Sequence, residues 1–271
     1  MKRAADRLLR VAGYVVVALV LSFIILPAFV VIVAAFNDRA ILAFPPSAVS
    51  LRWFNRALSY PDFRTGVWNG FVVMVWSSTI ALAVGAGLAI ALKRYEFRSK
   101  RMLEGILLAP LVIPHFTVGL GVLMLVAGLG LPRSYPVVIF SHVVLVLPFV
   151  LRSVYVSLQN LDERLELVAA SLGAPPGRIL GTITLPLLAP GLAGGWLFAA
   201  ILSFNEFTAS LFVTNQATQT LPVAMYNYVR EYADPTLAAL SAIYIAVTAT
   251  LLVLANRFLG LGRVLNVEHA R

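Results

Sequence analysis

The chain of 271 residues contains no cysteine, which rules out a disulfide framework, a thiolate metal site and a cysteine nucleophile. Charge is also scarce, at 12% of residues, with 12 acids against 21 bases. Several chemistry-bearing motifs are missing. Nothing matches G-x-x-x-x-G-K-[ST], so the chain does not hydrolyse ATP itself. H-E-x-x-H is absent, and the histidines at 115, 142 and 269 are too scattered for a zinc motif. No G-x-S-x-G elbow or other nucleophile-base pair supports an intramembrane enzyme. There is no repeat of 20–50 residues and no inverted half-repeat of the secondary-transporter type. What remains is apolar: 60% hydrophobic residues and a mean hydropathy of +0.90. A soluble protein could not bury that much apolar surface, so the expected class is an all-α polytopic membrane protein.

The apolar runs predict six transmembrane spans, at about 13–36, 67–92, 103–129, 137–158, 188–213 and 236–255. They form a single membrane domain over 13–260, with terminal segments 1–12 and 261–271. The first run is too long for the core of a cleaved signal peptide. Residues 37–65 form an outer loop lying along the membrane, where Trp53 and Phe54 suit the interface. Pro110 and Pro114 break the third span, which lipid tolerates only where protein or a cavity satisfies the backbone. A polar loop, 214–235, joins spans five and six. Of the 21 basic residues, 15 fall on the side of the termini and of the segment 159–187, against 6 on the other side. The positive-inside rule places both termini and that segment in the cytoplasm. Basic charge concentrated beside apolar runs is membrane orientation, not a nucleic-acid surface.

The segment 159–187 stands apart from its apolar neighbours. Leu161, Leu165, Val168 and Leu172 recur at helical spacing and form an apolar stripe. Asn160 with Glu163 forms a variant capping box, and Asp162, Glu163 and Glu166 favour the positive helix end. Gly173 closes this helix in the left-handed conformation, and Pro175-Pro176-Gly177 prevents its continuation. A second short helix from about Arg178 to Thr184 is expected to end at Leu185-Pro186. The segment is thus a two-part amphipathic elbow on a membrane face.

The elbow resembles the EAA loop of ABC-importer permeases, in which Glu-Ala-Ala precedes a glycine that is followed at fixed distance by I-x-L-P. Here Gly173 is followed ten residues later by Ile183-Thr184-Leu185-Pro186. The triplet falls on Leu167-Val168-Ala169, so leucine replaces its glutamate and Glu166 lies one residue upstream. Over residues 100–256 the chain is similar to the second permease of spermidine/putrescine-type uptake systems. The strings that carry this are SHVVLVLPFV, GWLFAAILSFNEFTASLFVT and LPVAMYNYVREYADPTLAALSAIY; S-L-R-W-F at 50–54 also resembles the family. The resemblance implies a type I ABC importer permease fold and a bacterial inner-membrane location. It implies as partners a second permease, two ATPase subunits and a periplasmic binding protein. No cofactor is expected on this chain, ATP and Mg being used by the partner ATPase. The residues implied for ATPase coupling are Glu166, Leu167, Val168, Ala169, Leu172, Gly173, Ala174, Ile183, Leu185 and Pro186. A channel that never couples to an ATPase is the rival of another class.

Glu206 is the only carboxylate deep in an apolar span. Two readings stand beside each other, a protonated or paired packing group and a group lining the solute path. With continuous helix through 213, Leu202, Asn205 or Glu206, and Ala209 or Ser210 share one stripe of small or polar groups. Glu206, Asn205, Ser210 and His115 are therefore the candidate path residues, whereas His142 reads as structural. In polyamine members of the family, acids occupy the positions of Asn205-Glu206 and of His115; this chain keeps one of them. A small polar solute is implied, with a polyamine or related amine-containing compound favoured. Phosphonates, opines, amino acids, iron and thiosulfate are the alternatives carried by relatives.

Overall fold

The computed structural model describes residues 2–40 and 44–259. The terminal segment 261–271 and His269 lie outside them. In chain order the helices are α1 (Lys2–Ala34), α2 (Arg52–Ser59), α3 (Pro61–Arg94), α4 (Lys100–Leu108), α5 (His115–Gly128), α6 (Tyr135–Gln159), α7 (Glu163–Ser171), α8 (Pro176–Ile179), α9 (Leu185–Phe204), α10 (Ser210–Val213), α11 (Leu221–Glu231) and α12 (Thr236–Leu259). The chain divides into two compact units, one holding residues up to Pro61 together with Met225–Gly260, the other Asp62–Ala224.

In the first unit α12 packs on α1 and α2. Between Val11 and Phe29, α1 exposes valine, leucine, isoleucine and phenylalanine, as a helix does when its solvent is lipid. Trp53, expected to suit the membrane interface, is packed within the first unit: it is 4% exposed, and its indole N–H donates to the Asn37 carbonyl at 2.7 Å. The Arg52 guanidinium covers the ring at 4.3 Å. A buried tryptophan is stabilised by a partner for its N–H and by a cation over its ring face.

In the second unit the core forms where α3, α6 and α9 meet, around Ala81, Ala89, Val146, Val150, Val154, Leu188 and Ala199. Small residues allow the approach. A Cβ at Gly191 would overlap the Ser157 side chain, and one at Gly85 would stand 3.0 Å from Val150. Gly191-x-x-x-Gly195 thus gives α9 the small-residue face that lets membrane helices pack backbone to backbone.

By length and apolarity α1, α3, α6 and the continuous helix Pro176–Phe204 can each cross a membrane. A fifth crossing is added if the bent pair Lys100–Leu111 and His115–Gly128 is one span; α12 contributes the shorter apolar stretch Thr236–Thr250. The third span is broken where its prolines predict, turning by 104° at Val112–Pro114 after a 3₁₀ turn at Ala109–Leu111. Three expectations of detail give way. The fifth span does not run to 213: α9 ends at Phe204, and residues 205–209 are not helical. The predicted helix Arg178–Thr184 does not stop at Leu185-Pro186. Instead α8 passes through a π-helical turn, Leu180–Thr184, into α9. Pro186 has no N–H for the usual bond, and the wider turn, in which Leu185 N–H donates to Leu180, carries the helix past it. Asn160 is not a helix cap for α7 but ends α6; Asp162 is the N-cap, accepting from Arg164 N–H at 3.0 Å.

Candidate functional site: the elbow and the crossing of two broken helices

Acidic residues in the first turn of α7 and basic residues in the last turn of α3 bring the elbow and α3 together. Lys93 Nζ lies 2.9 Å from Glu163, and the Arg94 guanidinium lies 2.6 Å from Glu166. The same Glu166 oxygen accepts from the hydroxyl of Thr184, which is fully buried in the π turn. Glu166 therefore ties three segments: the end of α3, the first elbow helix and the entry to α9. Sequence reasoning assigned Lys93 and Arg94 only to membrane orientation and missed Thr184.

Gly173 has φ +84°, and it ends α7 as expected. Its N–H donates to Ala170 and the Ala174 N–H to Ala169, the double bond of a Schellman turn. Leu167, Val168 and Leu172 are exposed, Leu172 by 83%, together with Leu165, so the outer face of α7 is an apolar ridge. Leu185 and Pro186 are exposed too, whereas Ala169, Ala174 and Ile183 are half-buried. Leu161 departs from the ridge and packs against the core beneath α6.

The second centre lies where the break in the third span meets the break in the fifth. Pro114 caps α5 in an extended conformation, leaving His115 as the first helical residue. Across from it, Glu206 occupies the non-helical segment after α9 and is 8% exposed. Its Oε2 lies 2.6 Å from His115 Nδ1, and its Oε1 accepts from Ala209 N–H at 2.7 Å. Residues 205–209 need such acceptors because their backbone groups have left the helix. A Cβ at Gly119 would stand 2.6 Å from the Ala209 backbone, so only glycine lets α5 approach this segment.

Behind that pair runs a buried polar chain. His142 reaches Ser203 through Nδ1 and Ser210 through Nε2, both at 2.8 Å, and Ser77 meets Ser203 at 2.8 Å. Full burial with both ring nitrogens partnered fits the packing role that the sequence suggested for His142. The candidates divide accordingly: His115 and Asn205 are exposed, Glu206 lies just behind them, and Ser210 is fully buried, donating to the Glu206 carbonyl. The helical stripe joining Leu202, Asn205, Glu206, Ala209 and Ser210 is corrected here, because the helix stops before it.

The model of the family described as binding-protein-dependent transport system inner membrane component matches residues 81–261, which include the elbow and both breaks. The chain belongs to that family. This permease is 29% identical to the spermidine/putrescine transport system permease protein PotC of Escherichia coli K12, over 86% of its own chain and 88% of that protein. It is 36% identical to the molybdenum transport system permease protein ModB of Haemophilus influenzae, over 58% of its own chain and 74% of that protein. Among solved structures, a chain of a bacterial ABC transporter involved in import of the acidic polysaccharide alginate has the same fold. The TM-score is 0.69 at 16% identity, covering 94% of this permease and 97% of that chain. The permease is the membrane subunit of an ABC importer, and ATP hydrolysis belongs to a separate subunit.

Proposed function

We propose that this permease pairs with a second permease, two cytoplasmic ATPase subunits and a periplasmic binding protein, and that its cargo is a small polar amine-containing solute. ATP and Mg are used by the ATPase; no cofactor is assigned to this chain. The apolar ridge of α7 seats in the ATPase, with both termini and the elbow in the cytoplasm as the basic residues require. Closure of the ATPase dimer moves the elbow, and the unbroken helix from Pro176 to Phe204 carries that motion to residues 205–209.

One observation carries the solute class: the Glu206 carboxylate stands at the meeting of two broken spans with His115 on its outer side. Non-helical backbone at membrane depth is tolerated where it is buried in protein or borders a path. An ammonium group entering beside His115 takes its place at Glu206 Oε2, exchanging one hydrogen-bonding partner for another. The relatives that transport spermidine and putrescine support this reading. The test is uptake by cells expressing the whole system, with the ligand identified by mass spectrometry on the binding protein. Glu206→Gln is expected to abolish uptake while the ATPase still co-purifies. Wild-type uptake by that variant would make the carboxylate structural and remove the amine preference.

A further inference from the structure

A cavity of about 670 Å³ opens between α6 and α9 on the elbow side of the helix crossing. That size accommodates a small-molecule ligand. Gly194 of α9 lines it, and a Cβ there would meet nothing within 4 Å. Its walls carry one charged side chain, Arg152, and no carboxylate. Arg152 lies seven residues before the end of α6, roughly 10 Å along the helix axis. It is exposed and makes no hydrogen bond or ion pair with any described residue. The Ser153 and Ser157 hydroxyls donate to the carbonyls of Gly191 and Ser153, and neither accepts from the guanidinium. A guanidinium keeps its proton, and among the described residues none supplies an anion to Arg152 in this cavity.

The cavity borders the elements that carry the candidate site. Gly194 and Phe198 line it from α9, which ends at Phe204 just before Asn205 and Glu206. Leu111 lines it from the third span, just before the break that ends at His115. Phe149 and Phe198, with centroids 5.4 Å apart, form its aromatic wall.

We propose that this cavity binds an acidic group of the transported solute through Arg152, so that the cargo carries a carboxylate or oxyanion as well as an amine. This rests on the permease reading and narrows its solute class. The crossing and the cavity then act in succession, the first meeting the amine and the second the acid. A plain polyamine would meet an unpaired positive charge on its way through, with no acid there to receive it.

Because the chain has no cysteine, the charge preference of the cavity is directly measurable. Val156→Cys places a thiol on the cavity wall one turn from Arg152. The complete complex, in inside-out vesicles of phosphatidylcholine or of phosphatidylglycerol, is treated with an anionic sulfonatoethyl or a cationic trimethylammonium methanethiosulfonate. The anionic reagent is expected to be favoured at least fivefold more with Arg152 or Arg152→Lys than with Arg152→Gln, in both lipids. L-glutamate should slow that reaction and putrescine should not. An equal ratio in Arg152→Gln means that a partner carboxylate neutralises the arginine, and overturns the proposal. Loss of the preference only in phosphatidylglycerol assigns the arginine to a lipid headgroup and overturns it equally. Failure of the permease reading would look different, as loss of ATPase co-purification from the unsubstituted chain.

Discussion

The Glu166 carboxylate on the first elbow helix stands 2.6 Å from the Arg94 guanidinium at the end of α3. Both side chains are partly solvated, so the pair contributes about 1 kcal/mol or less to stability. Its effect is on position, because the same oxygen also holds Thr184 at the entry to α9. Arg94→Ala and Glu166→Ala are therefore expected to leave expression and Tm nearly unchanged while lowering solute imported per ATP hydrolysed several-fold. The exchange Arg94→Glu with Glu166→Arg should restore part of the loss. Equal coupling ratios in all four proteins would show that the tie is incidental.

Gly173 offers a separate test of the elbow. A side chain at φ +84° is strained although the space around it is open. Alanine there costs about 1–2 kcal/mol, whereas asparagine tolerates the left-handed region better. Gly173→Ala and Gly173→Asp should both weaken ATPase co-purification, and Gly173→Asn should largely spare it. If asparagine is as damaging as alanine, size in the contact matters and backbone conformation does not.

What could be read in advance and what could not follows from the range of each interaction. The bend at Pro110 and Pro114 and the turn at Gly173 depend on local backbone chemistry, which proline and glycine announce. The break after Phe204 has no such marker, since Asn205–Ala209 contains neither. It is held by His115, 91 residues away, and by the local bond from Glu206 to Ala209 N–H. Glu166 and Arg94 are 72 residues apart and pair only because α3 and α6 pack together. The polar stretch after span five was likewise legible as polar but not as folded. Asn69 donates to the carbonyls of Ala217 and Gln219 at 2.9 Å, which buries Thr218 to 4% exposure.

That burial decides where topology should be probed. Thr218 suits a labelling thiol poorly, but Gln216 is exposed beside it, and Gly177 in the elbow is exposed with open space for a side chain. In intact cells Gln216→Cys is expected to react with a membrane-impermeant maleimide and Gly177→Cys only after permeabilisation. The reverse pattern would invert the orientation and detach the elbow from a cytoplasmic ATPase.

Asp234 gives the first unit a dependence on pH. Burial alone would raise its pKa, but bonds from Thr236 and Tyr228 and the Arg56 charge, 3.2 Å away, together hold it below the ordinary aspartate value of 3.8. With the folded pKa depressed, the contribution is full above 3.8 and is lost as pH falls through the lower folded value. Asp234→Asn should lower Tm by a few degrees at pH 7, and the gap from the wild type should close below the folded pKa. A gap that persists unchanged at pH 2 would assign the stabilisation to neutral hydrogen bonds.

His115 is the partner that an entering amine must replace, so its removal separates a gate from a brace. Its Nδ1 lies 2.6 Å from Glu206, yet its side chain remains 43% exposed, whereas that of Glu206 is 9% exposed. In His115→Asn the Glu206 carboxylate keeps the Ala209 N–H but loses its competing imidazole partner. If the histidine screens Glu206 until solute arrives, the variant should bind amine more tightly and release it more slowly. KM and kcat for uptake would then fall together, by roughly three- to tenfold if the exchange is worth about 1 kcal/mol. A brace predicts another pattern. Losing a tie between two broken helices would lower Tm and the yield of assembled complex, with uptake per complex unchanged. Measuring KM, kcat and Tm on the same purified preparation distinguishes the two, and an unchanged KM would end the gating role of His115.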